Sequence, residues 1–215
     1  MSHGIAVLHE SADLLLVNKP DGLATIPERD LTVPSVQRLL EAERGERLWV
    51  VHRLDKEVSG ALVFARSADA HRELCKAFEA RTVKKTYLAL VHGVLKLDSD
   101  VIDMPIREFG SGRMGVDQRG KPSRTGFRVL ERGASSSLLE VELHTGRRHQ
   151  IRVHLYAIEH PLVGDTRYGE RGSADGVRLM LHAWKLVLPA ISAEAAPPPS
   201  FLQELQRRGL RWAAA

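Results

Sequence analysis

His52-Arg53-Leu54-Asp55-Lys56-Glu57-Val58-Ser59 runs straight into Gly60-Ala61-Leu62-Val63-Phe64-Ala65, so a polar segment carrying an arginine and a carboxylate opens onto an apolar run of strand length. Upstream, Leu48 to Val51 reads as a second buried strand, which makes His52 to Ser59 the connection between the two. A polar cluster at the end of a buried strand suits a cleft. Beside an arginine a carboxylate stays ionised at neutral pH, because the nearby cation favours the charged form. An ionised carboxylate in turn suits a nucleophile or a general base. An isolated Arg-Leu-Asp tripeptide is more often an ion pair that tidies a loop. The rigid strand that follows Ser59 is what raises Asp55 above that reading.

Outward from this segment the chain mixes strands and helices. Ile5 to Leu8 and Leu14 to Val17 read as short strands, broken by the turn signal Asn18-Lys19-Pro20-Asp21-Gly22. Pro34-Ser35 opens a helix whose apolar positions Val36, Leu39 and Leu40 share a face and which Gly45 ends. Ser67 caps a second helix reaching about Ala80. Thr86 to Val94, Thr125 to Leu130, Leu138 to Leu143 and Met180 to Leu188 read as strands, His149 to Glu159 as a helix, and Ser200 to Arg208 as a short terminal helix. Lys96 to Ser123, rich in glycine and proline, reads as loop. The absence of regular strand–helix alternation predicts an α+β fold with a mixed, mostly antiparallel central sheet, flanking helices and loops.

Composition narrows the class. The 215 residues, 43% hydrophobic and 27% charged, suffice for one large domain or two small ones. A single cysteine, Cys75, excludes an internal disulfide and any CxxC zinc cluster, and predicts a reducing, cytoplasmic home. No apolar run approaches the length of a membrane span, and the first residues carry no secretory signal. Net charge is only +4. Its distribution is uneven: Arg107, Arg113, Arg119, Lys121, Arg124 and Arg128 face only Glu108 and Asp117 within their window. Such a window is a solvated face or a surface for phosphates.

Two further constellations stand out. His144-Thr145-Gly146-Arg147-Arg148-His149-Gln150-Ile151-Arg152-Val153-His154 places Arg148 and Arg152 four apart, hence on one helical face, with Gly146 allowing close backbone approach near the helix start. Its three histidines are spaced by five and do not converge on a helix, so a metal site is not expected. Lys84-Lys85-Thr86-Tyr87 runs basic residues into a strand-borne tyrosine. No GxxxxGK[ST], GxSxG or HExxH occurs, which removes the P-loop, serine hydrolase and zinc protease readings.

Together these segments resemble the RluA family of RNA pseudouridine synthases. His52-Arg53-Leu54-Asp55 with Ser59-Gly60 is similar to its HRLDxxTSG signature, and Asn18-Lys19-Pro20 with Gly22-Leu23 to its NKPxGL motif. Lys85-Thr86-Tyr87 with Gly93 resembles KxYxALxxG, and Thr145-Gly146-Arg147 with His149 to His154 resembles TGRxHQIRxH. His160-Pro161, Gly164-Asp165 and Tyr168-Gly169 follow HPxxGDxxYG, and Leu181-His182-Ala183 the LHA strand, all in family order. The resemblance implies the pseudouridine synthase fold with a catalytic cleft across the sheet. It implies one catalytic domain over residues 1–215, or two subdomains sharing one sheet, with no S4 domain in front. It implies isomerisation of uridine to pseudouridine in structured ribosomal or transfer RNA by a cytoplasmic monomer needing neither cofactor nor metal.

Asp55 then maps to the essential aspartate, Tyr87 lines the target base and assists proton removal from C5, and Arg152 pairs with Asp55. Arg53 fills the gap left by the flipped nucleotide. His52, Lys85, Arg113, Arg119, Lys121, Arg147, Arg148 and His149 are the further RNA-binding candidates. Val58 and Arg148 depart from the family pattern, Val58 standing where threonine is usual and Arg148 where threonine or serine is common. Attack on the sugar, attack on C6 and removal of the 2′ proton all remain open for Asp55. A catalytically idle RNA-binding module or RNA chaperone on the same scaffold is the alternative. A glycosidase-like enzyme, with Glu57 as second acid, is more remote.

Overall fold

A computed structural model describes residues 4–30, 32–169 and 176–212. The elements, in chain order, are β1 (Ala6–Glu10), β2 (Leu14–Lys19), α1 (Val36–Arg44), β3 (Trp49–Val50), β4 (Ser59–Ala65), α2 (Ala68–Glu79), β5 (Lys84–His92) and β6 (Ser99–Asp103). They continue with β7 (Ile106–Glu108), β8 (Met114–Val116), β9 (Arg124–Arg132), β10 (Ser136–Leu143), α3 (Gln150–Ala157), β11 (Leu181–Val187), β12 (Ser192–Glu194) and α4 (Pro199–Arg207). The chain folds into two compact units, residues 1–85 with 182–197, and residues 86–181 with 198–215.

In the first unit β4 is central. All seven of its residues are buried, which is why it reads as an uninterrupted apolar run with no alternation. β2 pairs with it antiparallel, β1 pairs with β2, and β3 pairs with the far end of β4. β11 pairs with β4 in parallel, His182 opposite Ser59 and Ala183 opposite Gly60, and β12 returns antiparallel on β11. Gly60 has φ +121°, and a Cβ there would lie 2.2 Å from the Ala183 carbonyl oxygen. Only glycine therefore lets β4 and β11 approach this closely. The neighbouring register is pinned by Ser59 Oγ, 2.8 Å from His182 Nδ1, while His182 Nε2 lies 2.9 Å from the Ala195 carbonyl. With Nε2–H donating to that carbonyl, Nδ1 accepts from the serine. Helices α1 and α2 begin where expected, Ser35 and Ser67 each accepting from the backbone N–H three residues on. Such a cap stabilises by about 1 kcal/mol. Leu74, Ala77 and Phe78 of α2 pack on a core of Leu16, Val63, Val83 and Leu186.

In the second unit β5 pairs with β10, β10 with β9, and β9 with β6, all antiparallel. Leu88 to Val91 and Leu138, Leu139 and Val141 form its apolar centre. The α+β class and the mostly antiparallel pairing follow the sequence expectation. The stretch 96–123 does not: it holds β6 and the β7–β8 hairpin as well as loops. Three-residue strands such as β7 and β8 are too short to show a period. Burial of Ile106 and Met114 against Val153 of α3 and Tyr168 stabilises them instead. The terminal helix starts at Pro199, one residue earlier than expected, because proline is well suited to the first helical position.

Candidate active site

The Asp55 segment lies in the first unit and is anchored on both sides of the carboxylate. Before it, Thr25 Oγ1 donates to the Leu54 carbonyl at 2.9 Å and accepts from the Leu54 N–H at 3.2 Å. After it, the Lys19 ammonium donates to the Lys56 carbonyl at 3.0 Å, and also to Pro20 and Leu23 at 2.8 and 2.6 Å. Lys19 is fully buried. Its charge is solvated by these carbonyl dipoles in place of water, which is how a buried ammonium avoids a large desolvation cost. A turn closed by Val58 N–H on the Asp55 carbonyl fixes the loop between the anchors. Leu54 and Val58 point into the core, Asp55 is half-buried, and Arg53, Lys56 and Glu57 are exposed. The side chain at position 58 thus serves packing, and valine fills it to 2% exposure.

His52 takes a different position from its exposed neighbours. Its ring stacks on Phe78 at 4.9 Å, and Nε2 accepts from the Val63 N–H of β4 at 3.2 Å. Desolvation, then the Lys85 cation, pull its pKa down to about 3. The imidazole is a neutral acceptor that ties the segment to β4. Lys85 lies 5.9 Å from the Phe78 ring centroid, and burial, then Arg81, lowers its pKa.

The second unit carries Tyr87 and Arg152. Tyr87, 7% exposed, sits on β5 opposite Val141. Arg152, on α3 and 4% exposed, makes a bidentate pair with Asp165: Nε and Nη2 each donate to a carboxylate oxygen at 2.8 Å. Asp165 also accepts from the Arg167 and Tyr168 N–H groups, both at 2.9 Å. Burial pushes the Asp165 carboxyl up, but the Arg152 guanidinium and these two amides outweigh it and hold it below the usual carboxylate range. Asp165 falls within the HPxxGDxxYG match, but its role as fixed counter-charge to Arg152 is not legible in the sequence.

Arg148 and Arg152 do not share a helix face as the four-residue spacing predicted. His149 is the residue before the helix and adopts a left-handed backbone, φ 55°, so Arg148 lies outside the helical register. Arg148 instead donates to Glu108 at 3.0 Å and to the Gly112 carbonyl. A left-handed histidine is strained by about 1–3 kcal/mol, and such strain concentrates at functional sites. Tyr168 holds it: the tyrosine hydroxyl accepts from Met114 N–H at 3.2 Å, leaving its proton for His149 Nδ1 at 2.8 Å. Tyr168 thereby joins the β7–β8 hairpin, the start of α3 and the Asp165 turn. Gln150 and Thr145 complete the support. Gln150 Nε2 donates to the Arg124 carbonyl and Thr125 Oγ1, and its Oε1 accepts from Thr145 and the Arg147 N–H. His154 is held separately, Nε2 on the Met104 carbonyl at 2.9 Å and Nδ1 on Thr125 at 2.8 Å. Among the described residues no group of three His, Cys, Asp or Glu side chains could hold a metal ion.

The basic window is more neutralised than its sequence suggested. Arg119 is bidentate on Asp117 at 3.1 Å, Arg107 lies 3.6 Å from the same carboxylate, and Arg128 pairs with Glu140 of β10. Hydrogen bonds from the Arg119 side chain and backbone hold the Asp117 carboxyl down at about 2. Arg113, Lys121 and Arg124 remain exposed, and Arg147 is half-buried. Among the described residues no helix is long and apolar enough to cross a membrane.

Residues 13–157 match the RNA pseudouridylate synthase family. The chain is 42% identical over 199 residues to the ribosomal large subunit pseudouridine synthase D of Nitrosomonas europaea, covering 86% of this chain and 58% of that protein. It is 37% identical to the dual-specificity RNA pseudouridine synthase RluA of Vibrio vulnificus, over 84% of this chain and 76% of that protein. Among solved structures, human RNA pseudouridylate synthase domain containing 4 superposes with a TM-score of 0.83 at 29% identity, covering 97% of this chain and 95% of that one.

Proposed function

Because the chain belongs to the RluA family of RNA pseudouridylate synthases, we propose that it isomerises uridine to pseudouridine within structured ribosomal or transfer RNA. The observation that carries this reading is the Asp55 loop. Its backbone is fixed by Thr25 before the carboxylate and by buried Lys19 after it, while Asp55 itself stays half-buried. A carboxylate on a loop so constrained meets substrate without reorganising, which is what preorganised catalysis requires.

In the reaction the N1–C1′ bond breaks, the uracil turns in place, and C5 bonds to C1′. The C5 proton leaves and N1 gains one, so no electron or group enters from outside and no cofactor is needed. Asp55 is the essential carboxylate and Tyr87 the aromatic that faces the flipped base and assists removal of the C5 proton. Arg152, whose guanidinium Asp165 fixes, is the third residue of the catalytic set. Arg53, exposed at the edge of the same loop, fills the gap in the RNA stack with its planar guanidinium, offsetting part of the few kcal/mol that flipping costs. Arg113, Lys121, Arg147 and Arg148 contact phosphates, and Lys85 adds positive charge next to the catalytic loop. His52 acts from within the first unit, holding the loop to β4. Residues 1–215 act as a single catalytic module working as a monomer in the cytoplasm.

The test is to map pseudouridines across total RNA from a strain lacking this chain and from its parent. At least one uridine should lose its modification; maps that coincide at every position would contradict the proposal.

A further inference from the structure

Aromatic side chains make up only 5% of the sequence, and Phe64, Tyr87, Phe127, Tyr168 and Phe201 are buried. Among the described residues two aromatics are prominently exposed, Phe109 at 39% and Tyr156 at 47%. Both lie in the second unit, and each has a guanidinium from the β7–β8 hairpin beside its ring. Arg107 Cζ is 4.9 Å from the Phe109 centroid, and Arg113 Cζ is 5.9 Å from that of Tyr156 and 5.0 Å from that of Tyr168. These distances fall in the range where a cation is attracted by the ring face.

The hairpin holds this arrangement in place. Phe109 N–H donates to the Arg113 carbonyl at 2.9 Å and Gly112 N–H to the Phe109 carbonyl at 2.8 Å, closing the turn. The Phe109 ring rests on Gly115, where a Cβ would come within 2.8 Å of it. Arg148 and Arg167 both donate to the Gly112 carbonyl from outside the hairpin. An exposed aromatic adds little to folding, whereas a rigid one beside a guanidinium offers a π face, a charge and few rotatable bonds to freeze.

We propose that Phe109 and Tyr156, with Arg107 and Arg113, form a stacking site for unpaired nucleobases of the RNA, separate from the residues that carry the isomerisation. The inference rests on the RNA substrate proposed above and deepens it. Bases in a duplex have no free face, so this site selects target uridines next to single-stranded nucleotides. Stacking tolerates any base, because every base has a π face, so the site reads strandedness and not sequence.

The test compares binding of the full chain to a short oligouridylate and to an abasic oligonucleotide of the same length and charge. The wild-type protein should prefer the oligouridylate by about tenfold. The Phe109→Ala/Tyr156→Ala double variant should lose that preference and keep the wild-type salt slope, since no phosphate contact is removed. Tyr156→Phe, which keeps the ring, should retain it. Both aromatics are exposed, so an unchanged melting temperature in the double variant verifies its fold. A wild type that binds both oligomers equally, or a double variant that keeps the preference, overturns the stacking site alone. A wild type that binds neither overturns the RNA reading and the stacking site with it.

Discussion

At the scale of single residues, the pair formed by Arg152 and Asp165 carries the most consequence. Arg152 is buried, so its charge needs a partner, and Asp165 supplies one with both oxygens while two backbone amides fix the carboxylate in turn. On the proposed reading of Arg152 as a catalytic residue, Asp165 is a positioning residue that acts through it. Asp165→Asn keeps the shape and one acceptor but removes the charge. It should lower kcat about 100-fold through a misplaced guanidinium while RNA affinity stays within about twofold. Single-turnover kinetics beside RNA titration measures this split, and equal losses in both would reduce Asp165 to a merely structural role. Sequence offered Asp55, Tyr87 and Arg152 as candidates because each stands inside a recognisable motif. It did not show what Lys19 does: Asn-Lys-Pro reads as a turn, and only the fold brings the Pro20, Leu23 and Lys56 carbonyls around one ammonium.

At the scale of elements, β4 and its flanking segments were legible because a strand buried on both faces leaves a continuous apolar run. Ser67, Ser35 and Gly45 likewise marked helix ends by chemistry that acts locally. The β7–β8 hairpin was not legible. Its strands are three residues each, its turn is rich in glycine, and what holds it is tertiary: Met114 N–H on the Tyr168 hydroxyl and Gly112 on two distant arginines. The beginning of α3 lies one residue later than the sequence suggests for a related reason, since nothing local announces that His149 leaves the helical register. Tyr168→Phe removes the hydroxyl that Met114 and His149 share while keeping the ring. It should cost about 1–2 kcal/mol and speed amide exchange at Met114. Unaltered exchange there would show that packing alone holds the hairpin.

At the scale of the whole molecule, the charge total of +4 hid both the basic window and its partial neutralisation by Asp117 and Glu140. Pairing of that kind depends on the fold, so counting charges along the chain overstates the surface left for phosphates. Stability should also depend on pH in a defined direction. The folded chain keeps His52 and His154 neutral by desolvation, with Lys85 adding to the effect at His52, whereas an unfolded histidine takes up a proton below about pH 6.5. The unfolded state then binds more protons, so stability is complete above about pH 6.5 and declines as pH falls. His52 alone should cost about 1–2 kcal/mol at about pH 5. The depressed Asp165 carboxyl adds its own loss only as pH drops below about 4, where an unfolded aspartate begins to protonate. Urea midpoints at about pH 7.5 and about pH 5 check this, and equal midpoints would contradict it. The central claim is that Asp55 makes this chain a pseudouridine synthase. Its most direct test is to return either the wild-type chain or Asp55→Asn to the deletion strain and map pseudouridines in total RNA. The wild type should restore the missing modification and Asp55→Asn should leave the uridine unmodified while still binding RNA. Restoration by Asp55→Asn would contradict the account.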